Sequence, residues 1–265
     1  MGSPAIATRS YLILREPNFA HLGQRDFGMP GLHATESIGP FVEIQACGPL
    51  ITVHDATGSA HLGIGHHPHR WNERLFYIMD GQLDHDDALN GITGHMDTGD
   101  LGQFTEGRRG MLHQEWNHGD RDCHAFILVY ITDPVPEKTA FGRLKDAEAP
   151  RYEEAAGIQT KELVGRKSPL KVNGDIRFFA DSSVDLDASL RIEFGTGEGG
   201  LVFVQEGTMI LDRSEEGVGR GEILLIPPAQ EEGTISLQAG GAARLIRVVF
   251  GPGQGLIRGK PYARR

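Results

Sequence analysis

Two short stretches concentrate the residues able to hold a metal ion: Gly65-His66-His67-Pro68-His69-Arg70 and Arg109-Gly110-Met111-Leu112-His113-Gln114-Glu115. Side chains alternate along a strand, so His67 and His69 share one face, as do His113 and Glu115. Three imidazoles and a carboxylate converging inside a barrel make a site for a divalent transition ion. Imidazole nitrogen suits zinc, copper, iron and nickel, and such a mixed donor set leaves positions open for water, oxygen or substrate. The carboxylate has two candidates, Glu115 with the parity of His113 and Glu73 with the parity of His67 and His69. His66 has the wrong parity to join them. His61, His85, His95, His118 and His124 read as surface or hydrogen-bonded core residues, and Asp100 and Glu106 fall in turns where solvation is expected. Trp71, Phe76, Met111 and Trp116 are core residues that can also line a pocket for an aromatic ligand.

Convergence requires strands, and the chain supplies them. Residues 75–83 form an apolar run broken by Gly81, Asn90-Gly91 is a strong hairpin signal, and Gly99-Asp100 is a further turn. Residues 124–131 make the last strong strand of the first half, which Pro134 and Pro136 end. Residues 137–170 are charged and poor in apolar side chains, the composition of an inter-domain crossing.

The chain also repeats itself. Residues 75–83 align without gaps on 201–209, bringing Gly81 onto Gly207, and the Gly99 turn matches Gly221. The fold expected is therefore all-β, two tandem β-barrels: a metal-binding unit over 1–135, a crossing over 136–172 and a second unit over 173–265. All twelve histidines lie between His21 and His124. Carried across the repeat, His67 and His69 fall on Glu193 and Gly195, and His113 and Glu115 on Ile235 and Leu237. Only the first barrel is equipped for an imidazole-bound ion.

Lys and Arg number 26 against 36 Asp and Glu, a net charge of −10, which disfavours direct contact with nucleic acid or an anionic membrane. Two cysteines, Cys47 and Cys123, in a chain of 265 residues suit a reduced compartment. No segment is long and apolar enough to span a bilayer, so a cytoplasmic protein is expected. Phosphate-loop, dinucleotide and nucleophile-elbow motifs are absent.

His67-Pro68-His69-Arg70 with Glu73, the Gly81 turn followed by His85, Gly99-Asp100, and the run from Gly107 to Glu115 resemble the N-terminal cupin of the pirins. Ala149-Pro150-Arg151-Tyr152 resembles the entry of pirins into their second domain. The resemblance covers about residues 60–155. It implies a bicupin, two double-stranded β-helix (jelly-roll-like) barrels with metal in the first alone, and ligands His67, His69, His113 and Glu115. It selects Glu115 as the fourth ligand and leaves Glu73 as a substrate or acid/base residue. The metal implied is Fe(II), with zinc, manganese, nickel or copper as the other ions such a site accepts. Trp71-Asn72 and Arg74 depart from the family pattern, beside the ligands where substrate is recognised.

Two functions follow from the resemblance. One is a quercetin 2,3-dioxygenase-like enzyme acting on a flavonol or related phenol and O2, with Glu115 or Glu73 as base and Trp71, Phe76 and Met111 lining the pocket. The other is a non-enzymatic, iron-dependent regulator that binds a protein partner. The enzyme is the favoured expectation.

Overall fold

The computed structural model describes residues 8–212 and 214–263. It is all-β, with a single four-residue α-helix, Gln24–Phe27, among the described residues. Among the described residues no helix is long and apolar enough to cross a membrane.

Each half joins a large sheet to a four-stranded one. In the first half the large sheet runs, in spatial order, Ala140–Leu144, Leu101–Thr105, Asn72–Asp80, Cys123–Ile131, Leu50–Gly58, Leu32–Ile38 and Ala20–Leu22. The small sheet is Gly63–His69, Met111–Trp116, Gln82–Asp87 and Ile92–Asp97. The second half repeats the plan, with Gly199–Glu206 between Ile223–Ile226 and Ala243–Phe250, as Asn72–Asp80 lies between Leu101–Thr105 and Cys123–Ile131.

The repeat is visible in single residues. Gly81 and Gly207 both have φ of +79°, and a Cβ on either would lie 2.4 Å from a carbonyl oxygen, that of Asp122 or of Ala242. Only glycine meets both conditions. What fills the two interiors differs. Ile235 and Leu237, the counterparts of His113 and Glu115, are fully buried in an apolar cluster with Met209 and Leu245. For the other pair the repeat offset is one residue out: Glu193 is exposed, and the inward side chains are Ile192 and Phe194.

The boundaries at 135 and 173 are less clean than the composition suggests. Leu12–Leu14 pairs with Ile223–Ile226 of the second half, and Leu256–Arg258 pairs with Ile44–Cys47 of the first. The two halves thus exchange terminal strands. The charged stretch expected as a crossing is also mostly sheet: Ala140–Leu144 pairs with Leu101–Thr105, while Arg151–Ala155 and Ile158–Val164 form the edge of the second large sheet. Its charges are retained in ordered contacts, as where Lys161 reaches the Gly99 carbonyl and Asp146. One apolar cluster, with Leu75, Tyr77, Phe126, Phe179, Phe203 and Phe250, joins both halves. Cys47 and Cys123 are buried free thiols.

Candidate metal centre

The strands Gly63–His69 and Met111–Trp116 pair antiparallel, with His67 directly opposite His113. The pairing brings His67, His69 and His113 together, their ligand atoms all within 4.8 Å of one another. The Nε2 of His67 is 3.6 Å from Oε2 of Glu115, and Nδ1 of His113 is 3.3 Å from Oε1 of the same carboxyl. His113 and Glu115 lie two apart on Met111–Trp116 and share its buried face, with the register irregularity falling on the facing strand between Ile64 and His67. His66 faces away, half-exposed, with Asp86 3.6 Å from its Nε2.

The donor set fits a divalent ion on three counts. Nε2 of His113 and Oε2 of Glu115 are buried side-chain atoms with no hydrogen-bond partner, a costly condition that coordination would relieve. The Nδ1–H of His67 donates to the Gly65 carbonyl at 2.8 Å, which leaves its Nε2 lone pair free on the Glu115 side. Burial also keeps the imidazoles neutral, the form that binds metal. It lowers the pKa of His69 to about 3, helped by the Arg74 charge, and lowers those of His113 and His67. The carboxyl of Glu115 is pushed up by burial to about 7, with Arg74 acting in the opposite direction.

The centre opens on a half-open cavity of about 430 Å³ lined by strands of the large and small sheets of the first half. Its walls are mostly apolar, with Phe27, Phe41, Ile51, Ile64, Phe76 and Ile127 among them. Such a volume and lining suit a multi-ring organic ligand.

Residues 23–129 match the family model described as Pirin. This part of the chain is similar to the pirins. Quercetin 2,3-dioxygenase of Escherichia coli (strain K12) is 27% identical over 136 residues, 49% of this chain and 54% of that protein. Human pirin is 31% identical over 145 residues, 52% of this chain and 49% of pirin. The chain thus spans about half the length of these curated relatives. The structure of bacterial pirin YhhW in complex with nickel(II), from Escherichia coli, superposes with a TM-score of 0.74 at 16% identity, covering 92% of this chain and 100% of that one. At that identity the likeness is one of fold.

Within this region Phe76 lines the cavity as expected, but three other expected residues do not. Glu73 is fully buried on the opposite side of its strand, between the halves, where it accepts from Gln103, Thr105, Tyr130 and both the backbone and side-chain N–H groups of Asn173. The parity that linked it to His69 fails because the two lie on different strands, separated by a turn at Trp71 with φ of +80°. Trp71 is 55% exposed, with the Arg70 guanidinium over its ring, and Met111 is core beside Phe76 and Phe104. Glu106 and Asp100 are buried rather than solvated. Glu106 accepts from the Asn72 N–H and from Nε of Arg74 at 2.7 Å, and Asp100 accepts from the backbone of Asp97 and Asp146.

Two residues make contacts at the centre that the sequence does not reveal. His85, expected as an ordinary core or surface residue, is buried with its Nδ1 3.2 Å from Nδ1 of His113 and its ring stacked on Phe141. It can orient His113 from behind. Arg74 points into the cavity and places Nη2 2.6 Å from Nδ1 of His69. The Arg74 departure from the family pattern was visible in the sequence. Its contact with a ligand histidine was not.

Proposed function

We propose that the chain is a metal-dependent dioxygenase of the quercetin 2,3-dioxygenase type, holding Fe(II) with His67, His69, His113 and Glu115 and acting on a flavonol or related phenol with O2. The observation that carries this reading is the juxtaposition of the neutral His cluster, its unpartnered His113 Nε2 and Glu115 Oε2, and one end of a large apolar cavity. A bound ion supplies a Lewis-acidic, redox-capable centre for oxygen and for an acidic hydroxyl. The apolar walls, Phe76 among them, hold the aromatic body and exclude water from it. Glu115, which lines the cavity, would be the base that takes the hydroxyl proton. Glu73 has no part in this step. The fold likeness to a nickel(II)-bound bacterial pirin and the sequence likeness to a quercetin 2,3-dioxygenase support the reading.

The test is oxygen uptake by anaerobically iron-loaded protein on admission of air and quercetin, with loss of the flavonol absorption band. Turnover no greater than that of a His113→Ala variant would reject the activity.

A further inference from the structure

The cavity has a second polar feature that the metal centre does not use. Glu36 and His54 face each other on neighbouring strands of the large sheet, and both line the cavity. Nε2–H of His54 donates to Oε2 of Glu36 at 2.9 Å, while Oε1 of Glu36 accepts the Phe41 backbone N–H at 2.7 Å. A Cβ at residue 39 would lie 2.3 Å from the Glu36 carboxyl carbon, so Gly39 makes room for this arrangement. Glu36 is 2% exposed and His54 17%. The carboxylate fixes the imidazole tautomer and leaves Nδ1 of His54 as an acceptor, with no donor to it among the described residues.

An unpartnered acceptor in an apolar cavity selects a ligand with a matching donor. Across the sheet, His54 lies opposite Ile127 and Ile127 opposite Phe76. His54 is therefore two strand spacings, about 10 Å, from the strand that presents Phe76 and Arg74 to the cavity. That separation suits a ligand of fused or linked rings.

We propose that His54, backed by Glu36, is a hydroxyl-binding and proton-accepting residue for the cavity's ligand, which is an extended aromatic molecule with one acidic hydroxyl near the His cluster and another at His54. The two-hydroxyl form of the ligand rests on the function proposed above. In the step at His54 the substrate O–H bond breaks, the proton forms an N–H bond at Nδ1, and the oxygen keeps the electron pair as a phenolate. The imidazolium is balanced by the Glu36 carboxylate against Nε2.

The test uses the full chain and 4-nitrophenol, whose ionised form has its own visible band, titrated at a pH where the free phenol is neutral. The wild type is expected to bind it with the ionised band developed. His54→Gln, which can still donate to Glu36, should bind with an ionised-to-neutral ratio about tenfold smaller, the equivalent of one pKa unit. Glu36→Gln should reduce the ratio too. No binding, no ionised band, or an ionised band undiminished in both His54→Gln and Glu36→Gln would overturn the assignment. His54-dependent ionisation without any flavonol turnover would reject the proposed dioxygenase activity while leaving the role of His54 intact.

Discussion

Arg74 donates to His69: Nη2 of the guanidinium is 2.6 Å from Nδ1 of the imidazole, while its Nε is bonded to the fully buried Glu106. This ties up one candidate ligand and places a positive charge beside a site meant for a dication. For His69 to bind an ion, either the guanidinium withdraws or the remaining ring nitrogen surrenders its proton.

Arg74→Met should therefore tighten metal binding, measured as a lower apparent Kd in competition with a chelator. The same change leaves Glu106 buried without its cation, a loss of about 3–5 kcal/mol seen in denaturant unfolding. Arg74→Met/Glu106→Gln should recover most of that stability and keep the tighter binding. Metal affinity unchanged in both variants would show that Arg74 does not restrain His69.

Glu73 is expected to act on stability and not on metal. Its carboxylate takes hydrogen bonds from both halves of the chain, through Tyr130 and Asn173 among others. Glu73→Gln should destabilise by about 2–3 kcal/mol, the scale of hydrogen bonds to a charged group, with metal content equal to wild type. Lost metal at unchanged stability would instead place Glu73 in the centre.

The paired glycines give a test of the repeat. At Gly81 and Gly207 an added Cβ meets a backbone carbonyl oxygen at 2.4 Å with φ held at +79°. Gly81→Ala and Gly207→Ala should each cost about 2 kcal/mol or more and by similar amounts, read from thermal or denaturant unfolding. A tolerated substitution at one site alone would show that the two turns are not equivalent.

An acid-sensitive contact lies in the second half. Burial alone would raise the pKa of Glu154, but Arg247, Thr160 and Lys167 together lower it below its usual value. A depressed folded-state pKa means stability that is present above the unfolded carboxylate range and is lost as pH falls through the lower folded value. Stability should decline on acidification below about pH 4.5, and Glu154→Gln should have a shallower decline. An identical slope would remove Glu154 from the acid response.

Much of this was legible in the sequence because it depends on period and spacing. Alternation within one strand placed His67 with His69 and His113 with Glu115, and the Gly81 and Gly207 alignment gave the repeat that the sheets display. Parity carries no information across the turn at Trp71, which is why it left Glu73 open beside Glu115 although Glu73 faces the other way. Residues that act through partners distant in sequence were invisible for a related reason. Arg74 with Glu106, His54 with Glu36 and His85 with His113 meet only after strands pair. The exchange of terminal strands escaped notice because Leu12–Leu14 and Leu256–Arg258 are each three residues long, too short for a periodic signal.

The central claim is that His67, His69, His113 and Glu115 form one metal centre, and elemental analysis of the purified chain and its variants tests it most directly. The wild type should carry close to one divalent transition ion per chain, and His67→Ala/His69→Ala and Glu115→Ala should lose most of it while retaining the β-sheet circular dichroism of the parent. Undiminished metal in those variants, or none in a wild type purified without chelators and then offered Fe(II), would contradict it.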